Sequence, residues 1–389
     1  MTSAINSLLE DAVSSGLYLG LSFIVVDKDG NRIYSGTHGR RSFNSDEPMS
    51  LSTGGWLASM TKLMTSTAAM LAVQQGLVGL DDDVATILPE LREKEIWVSF
   101  DEETKVPTTE PIQGKITLRQ LLSHSSGCVY PFLSPVLQKW ATENNWSSEH
   151  ISGDFKVDWD YPLGYQPGTS WRYGQGVDWA GKVVEKISGK SLEEYMQEYM
   201  WGPLGMKNTT FHPEKRELLP LLDMGIRTEC GDKRIIPAGS HIYPIPTVNE
   251  AGGAGIFSNA DDYAKLLEAL LSNDGTLLKA EIIEEFVRPQ LNEAGKAGLL
   301  EEREKWVLPE IPKDIPVDHA LGGLVTAADV PGGRPKGAMT WDGYSNSNWL
   351  LDRTNGVALV LVTQVVPGDP STKALWKQLE SEVYEVLRN

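Results

Sequence analysis

The sequence predicts an α/β chain of the α+β kind: one antiparallel sheet built from both ends of the polypeptide, flanked by helices, with a mainly helical segment inserted between. Three observations carry this reading. The β-branched apolar run 19–26 passes through Asp27-Lys28-Asp29-Gly30 into Arg32-Ile33-Tyr34-Ser35-Gly36, the pattern of a hairpin about a D-G turn. Near the other end, residues 337–352 pass through Arg353-Thr354-Asn355-Gly356 into the apolar run 357–362, a second hairpin about an N-G turn. Between the two, the segments that can be read are mainly helices, at 61–75, 116–124, 177–187 and 260–271. The expected organisation is a single domain with an α/β lobe (1–55 plus 320–389) and a mainly helical lobe (56–319), and a site in the cleft between them.

Taken in order, the chain opens with a short surface helix over residues 1–13 and then the first hairpin. Next comes Trp56-Leu57-Ala58-Ser59-Met60-Thr61-Lys62, which leads into an amphipathic helix that Gly76 stops. The aspartates 81–83 look at first like metal ligands. Capping of a short helix that ends at Leu88-Pro89 is the better account of acids just ahead of an apolar run. Residues 97–115, polar and carrying Pro107 and Pro111, read as an exposed excursion, and residues 116–127 as a capped helix running into a tight turn. His124 lies at that helix end, where a histidine commonly satisfies backbone carbonyls.

The segment from Cys128 to Tyr165 is rich in aromatic residues and proline, and reads as loops and short helices over a pocket. A P-G turn at 167–168 precedes Tyr173, a helix follows over 177–187, and Ser191 with Glu194 has capping-box spacing. The glycine-rich stretch 251–259 lacks the strand and spacing of a dinucleotide loop and reads as a close-packed turn before a helix at 260–271. Residues 289–316 read as a second proline-bearing excursion, and residues 373–387 as the closing helix.

Composition narrows the function. The net charge of −18 disfavours a nucleic-acid partner, since phosphate binding rewards a basic surface. Two cysteines, Cys128 and Cys230, make neither a disulfide framework nor a zinc cluster. The N-terminus has no basic region ahead of an apolar core, and no run reaches the ~18–20 apolar residues of a membrane span. The expectation is a cytoplasmic enzyme acting on a small molecule, with no metal, no cofactor and no membrane contact.

Chemistry concentrates at Ser59 and Lys62. Residues three apart on a helix share a face, so the hydroxyl and the amine can meet. A helix N-terminus also favours the negative charge that develops when the serine attacks a carbonyl. A G-x-S-x-G nucleophile elbow is missing, the nearest approach being Gly343-Tyr344-Ser345-Asn346-Ser347, so an α/β-hydrolase is excluded.

Three stretches in this order, Ser59-x-x-Lys62, Pro167-Gly168 followed by Tyr173, and Trp341-Asp342-Gly343, resemble the serine β-lactamase and penicillin-binding-protein superfamily. The likeness is to its class C-like branch, with bacterial family VIII carboxylesterases and the fungal acyltransferases and esterases of statin-type polyketides. It extends over nearly the whole chain. The resemblance implies a β-lactamase/transpeptidase-like fold, Ser59 as acyl-accepting nucleophile, and Lys62 and Tyr173 as its base system. It also implies an oxyanion site between the backbone N–H groups of Ser59 and Tyr344.

Two versions of the base stay open at this level: a charged lysine that lowers the phenol's pKa, or a desolvated neutral lysine acting itself. The family's Tyr-x-Asn is Tyr173-Gly174-Gln175 here, and its Lys-Thr-Gly is Trp341-Asp342-Gly343. An indole in place of a cation removes the anchor for an anionic antibiotic and supplies an apolar wall. The expected substrate is therefore a bulky apolar ester, such as a statin-like polyketide side-chain ester, that is hydrolysed through an acyl-enzyme. Acyl transfer from a thioester to a polyketide alcohol is the alternative; a β-lactamase or a catalytically silent binding protein ranks below both. Tyr130, Phe132, Phe257, Trp341, Asp342 and Gly343 are the candidate pocket residues.

Overall fold

The computed structural model describes residues 2–388 apart from 148–150, 217–218, 229–233, 240–241, 273 and 306–310. Cys230 lies outside the described residues, while Cys128 is a buried free thiol.

The apolar runs at the two chain ends pair with each other. Strand β1 (Gly20–Asp27) is buried over seven of its eight positions, and β8 (Val357–Thr363) over all seven. They run antiparallel at the centre of an eight-stranded sheet, with Leu21 opposite Thr363 and Asp27 opposite Val357. The other members are β2 (Arg32–Ser42), β3 (Ser45–Pro48), β4 (Val317–His319), β5 (Leu324–Thr326), β6 (Met339–Asp342) and β7 (Asn348–Asp352). Their spatial order is β4-β5-β6-β7-β8-β1-β2-β3, antiparallel throughout. Both expected hairpins are present.

The period of two sorts the strand residues between two cores. Phe23, Val25, Leu359 and Leu361 face the terminal helices α1 (Thr2–Ser14) and α6 (Pro370–Arg388), meeting Ile5, Leu9, Trp376 and Leu379. Ile24, Val26, Val360 and Val362 face the main core, which also takes in α2 (Thr61–Gln74) and α5 (Ala260–Ser272). Helix α2 is buried on every side from Thr61 to Ala72, so it is a core helix and not the amphipathic one expected.

Two other expectations change. Within 97–115, strands Glu95–Phe100 and Pro107–Pro111 form an exposed two-stranded hairpin, with the prolines at the two ends of the outer strand where no ladder N–H is required of them. Within 289–316, Glu293–Lys305 is a helix. The aspartates 81–83 do not converge. Asp83 caps the 3-10 turn Val84–Thr86, Asp82 accepts from the Gly79 N–H, and Asp81 pairs with Arg119. Among the described residues, no helix is long and apolar enough to cross a membrane.

Candidate active site

Four pieces of chain meet at Ser59. Gly54–Trp56 pairs antiparallel with Phe257–Asn259, and the Leu57 N–H bonds the Ile256 carbonyl at 2.9 Å. Ala58 then takes a left-handed φ of +48°, which turns the chain sharply out of the strand. Ser59 lies in the 3-10 turn Ala58–Met60 and Lys62 in the first turn of α2, so the serine stands just ahead of the α-helix. In a stretch that is otherwise buried from Thr53 to Ala72, Ser59 is the one position partly open to solvent.

The second piece is the end of β6. A Cβ on Gly343 would overlap the Leu57 carbonyl, so only glycine lets this strand end come so close to the nucleophile turn. The hairpin closes with the Gly343 N–H on the Ser347 carbonyl at 2.8 Å. Among the described residues, neither the Ser59 nor the Tyr344 N–H has a protein acceptor.

The third piece carries Tyr173, which precedes α4 (Gly176–Ser188). Its hydroxyl lies 2.6 Å from Ser59 Oγ, and Trp341 Nε1 approaches the same oxygen at 3.4 Å. The Tyr173 ring packs against Trp341, His124 and Tyr130 at 5.1, 4.9 and 5.2 Å between centroids. The fourth piece is the loop 251–255. Lys62 Nζ donates to the Gly253 carbonyl at 2.8 Å, to Ser59 Oγ at 3.2 Å and to Tyr130 Oη at 3.3 Å. Three acceptors for one amine match the three protons of an ammonium.

The candidate residues divide. Ser59, Lys62, Tyr173 and Trp341 come together, and Tyr130, expected as a wall, reaches Lys62 directly. Burial drives the Tyr130 phenol well above its ordinary pKa, with Asp178 and Tyr173 adding to the shift. Phe132 stacks on Tyr130 at 5.4 Å and is half exposed at the rim. Asp342 is partly buried, and desolvation pushes its carboxyl up to about 6 against the pull of Lys373. Phe257 sits behind Trp56, where both line a cavity of about 320 Å³ with Tyr243, Ile242 and Gln364. Trp56 stacks on Tyr243 at 5.5 Å, and its edge meets the exposed Tyr344 ring at 6.5 Å.

His124 departs from expectation. Its buried Nδ1 has no partner among the described residues, and instead its own carbonyl accepts from Tyr165 Oη and the Arg172 N–H. The ring packs beneath Tyr173 and Trp341, 5.2 Å from His319. Burial lowers the pKa of both imidazoles, His319 to about 4, so both are neutral near pH 7. Gln175, at the family's asparagine position, is fully buried and thus does not present its amide to a ligand.

Sequence reasoning missed the Gly253 carbonyl and Asp178. Asp178 is 1% exposed on the first turn of α4, and its Oδ1 accepts the Gly253 N–H at 2.7 Å. Burial pushes its carboxyl up to about 6, opposed by the Lys62 charge and the Gly253 N–H. The signal in the sequence was the pair Gly252-Gly253, read there as tight packing alone.

A serine held between a lysine and a tyrosine, where the end of an antiparallel sheet meets the start of a buried helix, defines the serine β-lactamase-like class. The chain belongs to that family: the β-lactamase family model matches residues 5–383. Among curated relatives it is 33% identical to lovastatin esterase of Penicillium rubens over 382 residues, 96% of each chain. It is 31% identical to monacolin J acid methylbutanoyltransferase of Aspergillus terreus, covering 96% of this chain and 93% of that one. The unliganded structure of simvastatin synthase from Aspergillus terreus superposes with a TM-score of 0.89 at 29% identity, over 100% of this chain and 99% of that one. EstCE1, a hydrolase with promiscuous acyltransferase activity, shares the fold at 21% identity and a TM-score of 0.77, over 98% of each chain.

Proposed function

We propose that the chain is a serine carboxylic-ester hydrolase that works through an acyl-enzyme on Ser59. Its substrate would be a bulky apolar ester such as a statin-like polyketide side-chain ester. The observation that carries this is the short Tyr173 Oη–Ser59 Oγ contact, made while Lys62 Nζ donates to the same serine oxygen. Ser59 Oγ attacks the ester carbonyl carbon, and its proton passes through Tyr173 Oη to the Lys62–Tyr173 pair, which enters the step one proton short of ammonium plus phenol. The Lys62 ammonium, fixed on Gly253 and Tyr130, favours negative charge on the phenol–serine pair. The N–H groups of Ser59 and Tyr344 receive the oxyanion. Tyr173 returns the proton to the departing alcohol, and water then enters by the reverse route.

The alternative outcome, transfer of the acyl group from a thioester to a polyketide alcohol, uses the same atoms and differs in how well water is excluded. Relatives of comparable identity bear esterase and acyltransferase names, which supports the reaction class without ranking the two. The indole of Trp341, where a lactamase places a cation, supports an ester over an anionic β-lactam. The division into lobes, 1–55 plus 320–389 against 56–319, belongs to the same proposal, with α5 packing from the inserted segment onto the sheet. Incubating one ester with and without an acceptor alcohol and quantifying both products tests the ranking. Hydrolysis is expected to dominate, and predominant transfer in dilute alcohol would reverse it.

A further inference from the structure

The loop 251–255 is held by ties that do not touch the reacting atoms: the Trp56 indole donates to the Ala254 carbonyl at 2.5 Å, and two more flank the Gly252-Gly253 peptide. Thr65 Oγ1, on α2, donates to the Gly252 carbonyl at 2.6 Å, and Asp178, on α4, accepts the Gly253 N–H. Side chains are excluded at both glycines. A Cβ on Gly252 would crowd Thr65 Cγ2 and the Val177 carbonyl at 3.0 Å each, and one on Gly253 would overlap Asp178 Oδ2. The loop is thus wedged between the helix that carries the lysine and the helix that follows the tyrosine. The Gly253 carbonyl is the group it turns toward the nucleophile, and it takes the shortest hydrogen bond of Lys62.

Asp178 is an expensive residue to keep at this place. A buried carboxylate needs compensation, and here Oδ2 has no hydrogen-bond partner among the described residues. An amide or a serine would also accept from one N–H at far lower desolvation cost. What those lack is the charge, and the Lys62 charge is the strongest influence opposing the burial of Asp178.

We infer that Asp178 is a positioning residue for Lys62: it anchors the Gly252-Gly253 loop whose carbonyl holds the ammonium, and its charge keeps that ammonium in place. The inference rests on Ser59 being the nucleophile that Lys62 serves. With Gly253 taking one Lys62 proton, the other two point at Ser59 and Tyr130. If the loop slips, the amine loses its third acceptor and its aim at Ser59 Oγ. Misplacement of a reacting group by about 1 Å costs on the order of 100-fold in rate.

The test is Asp178→Asn, which keeps size and an acceptor oxygen but removes the charge. Fluorophosphonate labelling of Ser59 and steady-state kinetics with a p-nitrophenyl ester are read beside far-UV circular dichroism. The expected result is labelling slowed by about 10- to 100-fold, with kcat reduced to match and KM within two-fold of wild type. A folded variant labelled within two-fold of wild type overturns the inference, as does a raised KM with unchanged kcat. If Asp178→Asn does not fold, Thr65→Ala loosens the same loop from its tie to α2. Slower labelling there supports the inference and an unchanged rate overturns it. An unlabelled wild type would remove the nucleophile reading and this inference with it, whereas a labelled wild type beside an unslowed variant removes the inference alone.

Discussion

Replacing Tyr173 with phenylalanine isolates one oxygen atom. The ring contacts with His124, Tyr130 and Trp341 survive the change, so packing is preserved. What is lost is the 2.6 Å contact to Ser59 Oγ and the 3.4 Å approach of Trp341 Nε1. A typical hydrogen bond contributes about 0.5–1.5 kcal/mol net, and the second of these is long, so stability is expected to fall by no more than about 2 kcal/mol. The effect on rate is larger, because this hydroxyl, which donates to Ser59 Oγ at 2.6 Å, lies closer to the nucleophile than Lys62 Nζ at 3.2 Å and is the group placed to exchange a proton with it. General-base assistance contributes about 100- to 10,000-fold, or roughly 3–5 kcal/mol of barrier at ~1.36 kcal/mol per decade. The assay is kcat/KM on a p-nitrophenyl ester, with thermal unfolding run in parallel. A folded Tyr173→Phe variant within ten-fold of wild type would refute the assignment of Tyr173 as base.

Other perturbations probe the scaffold around that oxygen. Gly343→Ala drives a Cβ into the Leu57 carbonyl, so thermal unfolding should show about 1–3 kcal/mol of overpacking cost, with kcat falling more than KM rises. Asp178 supplies a pH signature in stability. Its carboxyl is raised from 3.8 to about 6, so the folded state binds the proton more tightly than the unfolded chain, and this group stabilises the fold below pH 4 and progressively less up to about pH 6. Asp178→Asn should therefore gain stability relative to wild type across that window, by up to about 3 kcal/mol; a difference between the two that stays flat from pH 4 to 7 would contradict this. Phe132→Ala, at the half-exposed rim, should leave the melting temperature within about 2 °C and raise KM for a bulky ester about five-fold, an apolar contact of about 1 kcal/mol. An unchanged KM would take Phe132 out of the substrate's path.

What could be read from the sequence was what short spacing or strong patterning encodes. Ser59 and Lys62 are three apart on one turn, and the runs 19–26 and 357–362 are too apolar to be anything but central strands. Tyr130 could not be assigned to Lys62, because that contact spans 68 positions and a tyrosine among aromatics has no periodic mark. The Gly253 carbonyl was invisible for a different reason: a backbone acceptor looks the same in every residue. Hairpin 95–111 escaped detection because its outer strand is polar, largely exposed and bounded by prolines. Helix 293–305 is rich in glycine and charge, and proline-bearing segments flank it. Helix α2 reads as amphipathic in the sequence, yet its polar Thr65 and Thr67 are buried, bonding the Gly252 and Leu63 carbonyls. Polar side chains that satisfy themselves in this way pass for a solvent face in a sequence and belong to the core in the fold.

The central claim is that Ser59 carries the acyl group. Intact-protein mass spectrometry after rapid acid quench with a slowly released ester tests it most directly, with peptide mapping and the Ser59→Ala variant as control. The account predicts one added acyl mass per chain, mapped to Ser59 and lost in Ser59→Ala. Turnover that persists in Ser59→Ala, or an acyl mass mapped to any other residue, would contradict it.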